Sequence, residues 1–293
     1  MKIKDLYHKK GTLLSFEIFP PKKDYPLDTV FQTIEELKDL KPDFISVTYG
    51  AGGTSKDRTV EIASKIKNKY NIEALAHLTC ISSTTHEIDD ILHDLHRNHI
   101  ENILALRGDI PENPEFEFPS PLQYTYAKDL INQINNSRKI SIGAACYPEG
   151  HPQCESRIQD IKYLKEKVNA GVDFLISQLF FDNELFYRFM EEIDLAGIKV
   201  PVSAGIMPVL NAKQILRMQK LAGCKLPLKF RRILEKYENN PEALKEAGEA
   251  YALEQIIDLM AWGVDGIHLY TMNKSETARK IAKNIRMIRN IGL

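Results

Sequence analysis

Eight short apolar runs recur along this chain, and between them the apolar spacing turns helical. The runs are LLSFEIF (13–19), FISVTY (44–49), ALAHLTC (74–80), NILALRG (102–108), ISIGAACY (140–147), FLISQLFF (174–181), PVSAGIM (201–207) and GIHLYTM (266–272). Several are apolar almost throughout, as expected of strands covered on both faces of a parallel sheet. Amphipathic helices separate them. Val30, Phe31, Ile34 and Leu37 form one apolar stripe, and Ile88, Ile91, Leu92 and Leu95 form another. Ile158, Ile161, Leu164 and Val168 form a third, with Gly171 placed to end that helix. Strand and helix alternating eight times predict an α/β fold, the (β/α)8 TIM barrel. Residues 223–262 hold more helix than one crossover needs, and Pro241 after Asn239–Asn240 divides it. The expectation is an extra helical excursion between strands seven and eight, within a single barrel domain spanning 1–293.

Composition narrows the partners. Lys and Arg number 39 against 40 Asp and Glu, a net charge of −1 over 293 residues. That balance gives no electrostatic case for nucleic acid or an anionic membrane and points to small-molecule substrates. No apolar run approaches the ~18 residues of a membrane helix. The start, MKIKDLYHKKGT, lacks the apolar core of a secretory signal. The four cysteines are scattered without a C-x-x-C pair, which suits a reducing compartment, so the expected location is cytoplasmic.

A barrel of this kind carries its chemistry at the C-terminal ends of its strands. Polar residues at those positions are Glu17, Thr48, His77, Arg107-Gly108-Asp109, Tyr147, Gln178 and Asn273-Lys274. Glu17 stands out as the only carboxylate in SFEIFPP. It reads either as an ion pair with a barrel arginine such as Arg107 or as a proton donor working near neutral pH. LRGD (106–109) reads as a turn requiring glycine, with the aspartate placed to face Glu17. In YPEGHP (147–152), Tyr147 suits stacking on a planar heterocycle, and His151 with the following helix suits a phosphate. That helix starts near Ser156 and carries Arg157, Lys162, Lys165 and Lys167, read mostly as solvated charge. Asp160 and Lys167 lie seven residues apart, two turns along one face. His86, His93, His96 and His99 read as a solvated face, with no ligand spacing for a metal. TYGAGGTS (48–55) lacks both G-x-G-x-x-G and a P-loop lysine and reads as a plain loop. Trp262 and Phe180–Phe181 read as packing.

Together SFEIFPPK (15–22), SVTYGAGGTSKDRT (46–59), AHLTC (76–80), LALRGD (104–109), AACYPEGHP (144–152), KVNAGVDFLISQLFFD (167–182) and HLYTMNK (268–274) resemble methylenetetrahydrofolate reductases. The likeness runs in order from residue 13 to about residue 290. It implies FAD as cofactor and reduction of 5,10-methylenetetrahydrofolate by ping-pong hydride transfer from a reduced nicotinamide or an alternative electron donor. By the same likeness, Glu17 corresponds to the acid that protonates folate N10 as the five-membered ring opens to an iminium. Asp109 corresponds to the aspartate beside the flavin pyrimidine edge and the pterin. Gln178 and Gln214 correspond to substrate-contacting glutamines. Thr48, His77, Arg107, Gly108, Asp109, Tyr126, Ala127, Tyr147, His151, Asp160 and Lys167 correspond to positions lining FAD.

This sequence departs from familiar members at three places. Lys274 replaces an arginine near the folate tail, which forgoes bidentate carboxylate recognition. Met218 stands where an aromatic is usual, and Cys154, Tyr163 and Glu166 differ around the cofactor. The resemblance implies a homo-oligomer, with a partner subunit as an alternative assembly. Other readings are a flavin barrel oxidising an amino acid and a silent folate-binding subunit. Retention of Glu17 and Asp109 weighs against the silent subunit.

Overall fold

A computed structural model describes residues 1–8, 11–21, 25–49, 56–110, 116–137 and 140–289. Residues 50–55 of the glycine-rich stretch lie outside these. Eight strands, β1 (Leu13–Ile18), β2 (Phe44–Val47), β3 (Glu73–Thr79), β4 (Asn102–Leu106), β5 (Ser141–Cys146), β6 (Phe174–Ser177), β7 (Val202–Ile206) and β8 (Gly266–Tyr270), form a closed barrel. Every neighbouring pair is parallel, and β8 closes on β1 with Ser15 opposite His268 and Glu17 opposite Tyr270. The strands are the eight expected, several of them shorter. β6 ends at Ser177, where the carbonyl turns to accept the Tyr270 hydroxyl, and Phe180 and Phe181 leave the ladder to pack in the cores outside it.

Strand alternation divides the side chains between two cores. Leu14, Phe16 and Ile18 point outward into the layer between barrel and helices. Leu13, Phe44, Leu75, Leu104, Phe174 and Ile176 point inward and fill the N-terminal end of the lumen. Ile3 and Leu6, from the 3-10 turn Ile3–Asp5 and its flank, close that end.

The helices are α1 (Asp28–Leu37), α2 (Lys56–Asn68), α3 (Thr85–Arg97), α4 (Ala127–Ser137), α5 (Arg157–Asn169), α6 (Asn183–Leu195), α7 (Ala212–Ala222), α8 (Leu228–Tyr237), α9 (Pro241–Trp262) and α10 (Ser275–Arg289). In α3 the expected stripe of Ile88, Ile91, Leu92 and Leu95 is entirely buried, and Thr84 with Glu87 forms a capping box at its start. In α5 the stripe holds except at its start: Leu164 is buried and Ile161 and Val168 pack against the core, but Ile158 is 85% exposed. The helix turns Asp160 and Lys167 toward β5 instead. Satisfying those polar groups against the barrel rotates Ile158 into solvent.

The excursion before β8 is three helices, with Asn240 capping α9 and Pro241 at its first position. α7 and α8 gather a second apolar core with Leu179, Phe181, Met207 and Val209 at the C-terminal ends of β6 and β7. Gly248 of α9 lets this wall close. A Cβ there would lie 1.9 Å from the Val209 carbonyl oxygen. No helix among the described residues is long and apolar enough to cross a membrane.

Candidate active site

The upper lumen, at the C-terminal ends of the strands, carries ionisable side chains where the lower lumen is mainly apolar, its Tyr7 hydroxyl paired with Ser203 Oγ. Glu17 enters it from β1. Its Oε2 lies 3.7 Å from His77 Nε2 and 3.6 Å from His268 Nε2, and no described residue hydrogen-bonds to this carboxylate. Of the two readings of Glu17, the ion pair with Arg107 does not form among the described residues. Arg107 directs Nη1 to Gln153 Oε1 at 2.8 Å and Nε to the Gly108 carbonyl, away from the lumen.

His77 is buried, and its Nε2 has no hydrogen-bond partner among the described residues. Burial pulls the His77 pKa from 6.5 to about 4; the Glu17 charge opposes this and His268 adds to it. The imidazole is therefore neutral near pH 7, since a cation there would lose its hydration without gaining a bond. His268 went unremarked as a site residue. It is fully buried, with Nδ1 2.7 Å from Ser15 Oγ and Nε2 3.4 Å from Ser46 Oγ. The signal was available: in GIHLY, period two places His268 and Tyr270 on the lumen face. The Tyr270 hydroxyl donates to the Ser177 carbonyl at 2.8 Å, and burial raises its pKa.

The loop after β8 is stitched to the end of β1. Thr271 Oγ1 donates to the Glu17 carbonyl at 2.6 Å, and the Asn273 side chain pairs with both the N–H and the carbonyl of Phe19. Met272 and Asn273 take left-handed φ of 51° and 54° to make this turn. Lys274 beyond it is exposed. The Thr48 N–H donates to the Ile18 carbonyl on the other side of β1.

A second cluster lies over β4 and β5. Gly108 has φ +86°, and a Cβ there would meet Thr79 Cβ at 2.8 Å, so the turn requires glycine as expected. Asp109 follows it, exposed, with no hydrogen bond or ion pair to a described residue, Glu17 included. The half-buried Tyr147 ring meets His151 edge-on, centroids 4.6 Å apart. Burial raises the Tyr147 phenol to about 12, with Arg107 opposing and Asp109 among the groups adding to the rise. Asp160 Oδ2 accepts from the His151 N–H at 3.2 Å, and Lys167 Nζ donates to the Ala145 carbonyl at 2.5 Å. The two residues do share a face, and both are tied to backbone around β5. Burial lowers the Lys167 pKa. Arg157, read as solvated, instead bonds the Tyr147 carbonyl and Glu192. Tyr126 is 63% exposed where α4 begins at Ala127.

On the remaining side, Gln178 follows β6, its Oε1 accepting from the Leu179 N–H at 2.9 Å. Gln214 lies in the first turn of α7, where the Asn211 side chain caps its N–H. His86, His93, His96 and His99 are exposed. No group of three or more metal-ligating side chains occurs among the described residues.

A sequence model of the methylenetetrahydrofolate reductases matches residues 2–286. The chain belongs to that family. It is 36% identical, over 98% of its length, to methylenetetrahydrofolate reductase (NADH) 1 of Arabidopsis thaliana, covering 50% of that protein. It is 36% identical to 5,10-methylenetetrahydrofolate reductase of Escherichia coli strain K12, with 93% of this chain and 90% of that one covered. The chain thus spans about half the length of the plant relatives and nearly all of the bacterial ones. Among solved structures, an uncharacterized Clostridium thermocellum protein that binds two copies of 5-methyl-5,6,7,8-tetrahydrofolic acid superposes with a TM-score of 0.68. That match is 15% identical, covers 98% of this chain and 100% of the other, and speaks to the fold.

Proposed function

We propose that this chain reduces 5,10-methylenetetrahydrofolate to 5-methyltetrahydrofolate, with FAD as its resident redox group. The observation that carries this reading is the Glu17 carboxylate, held in the upper lumen between two imidazoles without a hydrogen bond. A largely desolvated acid with no hydrogen bond among the described residues is costly, and such a cost is retained where a substrate completes the bonding. The family's substrate needs one acid, because the five-membered ring opens only as N10 takes up a proton. Glu17 supplies that proton, and neutral His77 leaves it no competing cation.

The residues also fit a flavin. His77 Nε2 is a buried polar atom with no partner, opening onto the same lumen. Asp109 is exposed at the rim, its carboxylate without a hydrogen bond or ion pair among the described residues. On this reading Thr48, His77, Arg107, Gly108, Tyr126, Ala127, Tyr147 and His151 line the cofactor. Asp160 and Lys167 hold the backbone around β5 beneath it. When bound, FAD supplies the hydride that converts the methylene carbon to methyl. Asp109 opposes the positive charge that develops on the pterin. Gln178 and Gln214 orient the pterin from the ends of the neighbouring β6 and β7 units, and Lys274 meets the folate's carboxylate tail as a point charge.

The electron donor is a reduced nicotinamide, a reading compatible with the NADH in the plant relatives' names, or another carrier acting at the same face in ping-pong fashion. The barrel acts as one domain, as a cytoplasmic homo-oligomer or beside a partner subunit. The test is cofactor release followed by anaerobic half-reactions. Acid should release FAD, a reduced nicotinamide or other donor should bleach it, and methylenetetrahydrofolate should reoxidise it. FMN, no flavin after reconstitution, or a reduced flavin indifferent to the folate would overturn the reading.

A further inference from the structure

Glu149 sits between the two halves of the site and belongs to neither. It occupies the turn after β5, where the Gly150 N–H returns to the Tyr147 carbonyl at 3.0 Å. Both its carboxylate oxygens accept from the backbone N–H of Lys225, at 3.1 and 2.9 Å. Lys225 lies in the connector between α7 and α8. Two residues earlier, Gly223 ends α7 with φ +68°, and a Cβ there would come within 2.9 Å of Pro152 Cγ. The connector therefore lies flush on the loop that carries Tyr147 and His151. Among the described residues, these two bonds are the only hydrogen bonds joining residues 147–156 to residues 211–227.

The isolation of this seam gives it meaning. The wall made by α7 packs into its own apolar core, seated on the ends of β6 and β7. Neither that core nor the capping of α7 by Asn211 reaches the β5 loop. Burial pushes the Glu149 carboxyl up, with the Lys225 N–H and ammonium pulling the other way and Asp182 adding to the rise. A charge is thus kept partly desolvated to hold one backbone amide. At the other end, Arg157 Nη1 holds the Tyr147 carbonyl at 2.9 Å, so the turn cannot follow the connector without displacing Tyr147.

We propose that Glu149 is a positioning residue that couples the β5 loop, bearing Tyr147 and His151, to the α7 wall, bearing Gln214 and Met218. It sets the gap between the cofactor side and the substrate side, and this role rests on the reductase reading above. The coupling itself is open to a test that needs no turnover, because the Lys225 amide is the bonded donor and its hydrogen exchange reports the clasp.

The experiment compares the flavin-loaded wild type with Glu149→Ala and Glu149→Gln, the latter keeping a carbonyl acceptor at the same reach. Exchange should accelerate about tenfold in Glu149→Ala, the order expected for a lost charge-assisted bond, in segment 223–228 and also in 145–153. The folate KM should rise by about tenfold while flavin reduction by the donor stays within about twofold, and Glu149→Gln should recover most of the KM. Acceleration confined to 223–228 would overturn the coupling, as would equal slowing of both half-reactions or a glutamine variant no better than alanine. If the wild type itself fails to turn over the folate, the reductase reading fails, and exchange alone decides the clasp.

Discussion

The two ends of the barrel lumen are built by the same strands and follow opposite rules. At the N-terminal end, Leu13, Phe44, Leu104 and Phe174 meet in an apolar plug sealed by Ile3 and Leu6. Four residues beyond Leu13 in β1 and two beyond Leu75 in β3, the same alternation delivers Glu17 and His77, with His268 from β8. The lower end gains stability from every contact. The upper end carries a carboxylate without a bond and an imidazole nitrogen without a partner. The difference teaches that the plug stabilises the barrel, while the polar layer carries a cost that the proposed chemistry accounts for.

The comparison breaks most sharply at Glu17. Glu17→Gln is nearly isosteric and removes no hydrogen bond from the carboxylate, so the melting temperature should be unchanged. Flavin reduction by the donor should persist, while the folate half-reaction falls by ~10²–10⁴, the span of a lost general acid. Equal slowing of both half-reactions, measured by stopped flow, would make Glu17 a structural carboxylate.

Phe174→Ala at the plug should do the reverse. Phe174 is fully buried against Phe44, Tyr7 and the bare backbone of Gly143. Its truncation should cost ~3–5 kcal/mol in urea unfolding. Folate reoxidation per folded molecule should stay near wild type. A selective loss of the folate half-reaction would erase the division between the two ends.

His77 measures what the upper layer costs. Its folded pKa of about 4 lies below the 6.5 of a free histidine, so between those values the unfolded chain binds the proton that the folded one refuses. This contribution is complete above pH 6.5 and is lost as pH falls toward 4. At about 1.4 kcal/mol per pH unit, it amounts to about 3 kcal/mol. His77→Asn should therefore lose less stability than wild type between pH 7 and pH 4.5. Parallel unfolding curves for the two proteins would refute the assignment.

The smallest effect is expected outside the lumen. Lys167→Met keeps the aliphatic stem but leaves the Ala145 carbonyl without its ammonium partner. The FAD dissociation constant should rise about tenfold, with turnover at saturating flavin changed only a few-fold. Unchanged flavin affinity with a large loss of turnover would move Lys167 from the cofactor's support to the chemistry.

Legibility followed the kind of signal each residue carried. The strands and the α3 stripe were readable because burial on one face imposes a period on the chain. Glu17 was readable because a carboxylate inside an apolar strand has few innocent explanations. Its neighbours were not: Arg107 also follows a strand end, but the closure of β8 onto β1 brings His268 beside Glu17. Ile158 was misread because α5 spends part of its inward face on Asp160 and Lys167, and periodicity registers hydrophobicity without registering a hydrogen bond to a strand carbonyl. Glu149 gave no signal of its own. Its partner is a backbone amide 76 residues away, and a backbone amide leaves no mark on residue type.

By itself, then, the chain's spacing determined eight strands, the helices between them and the rim on which polar residues gather. Those features follow from burial along one segment at a time, and each segment carries its own period. The tertiary structure alone decided which polar groups meet. Glu17 stands between His77 and His268 because three strands from both ends of the chain converge in one lumen, and Glu149 reaches Lys225 because the connector after α7 lies on the β5 loop. Such contacts depend on register and closure, which single-segment patterns do not encode.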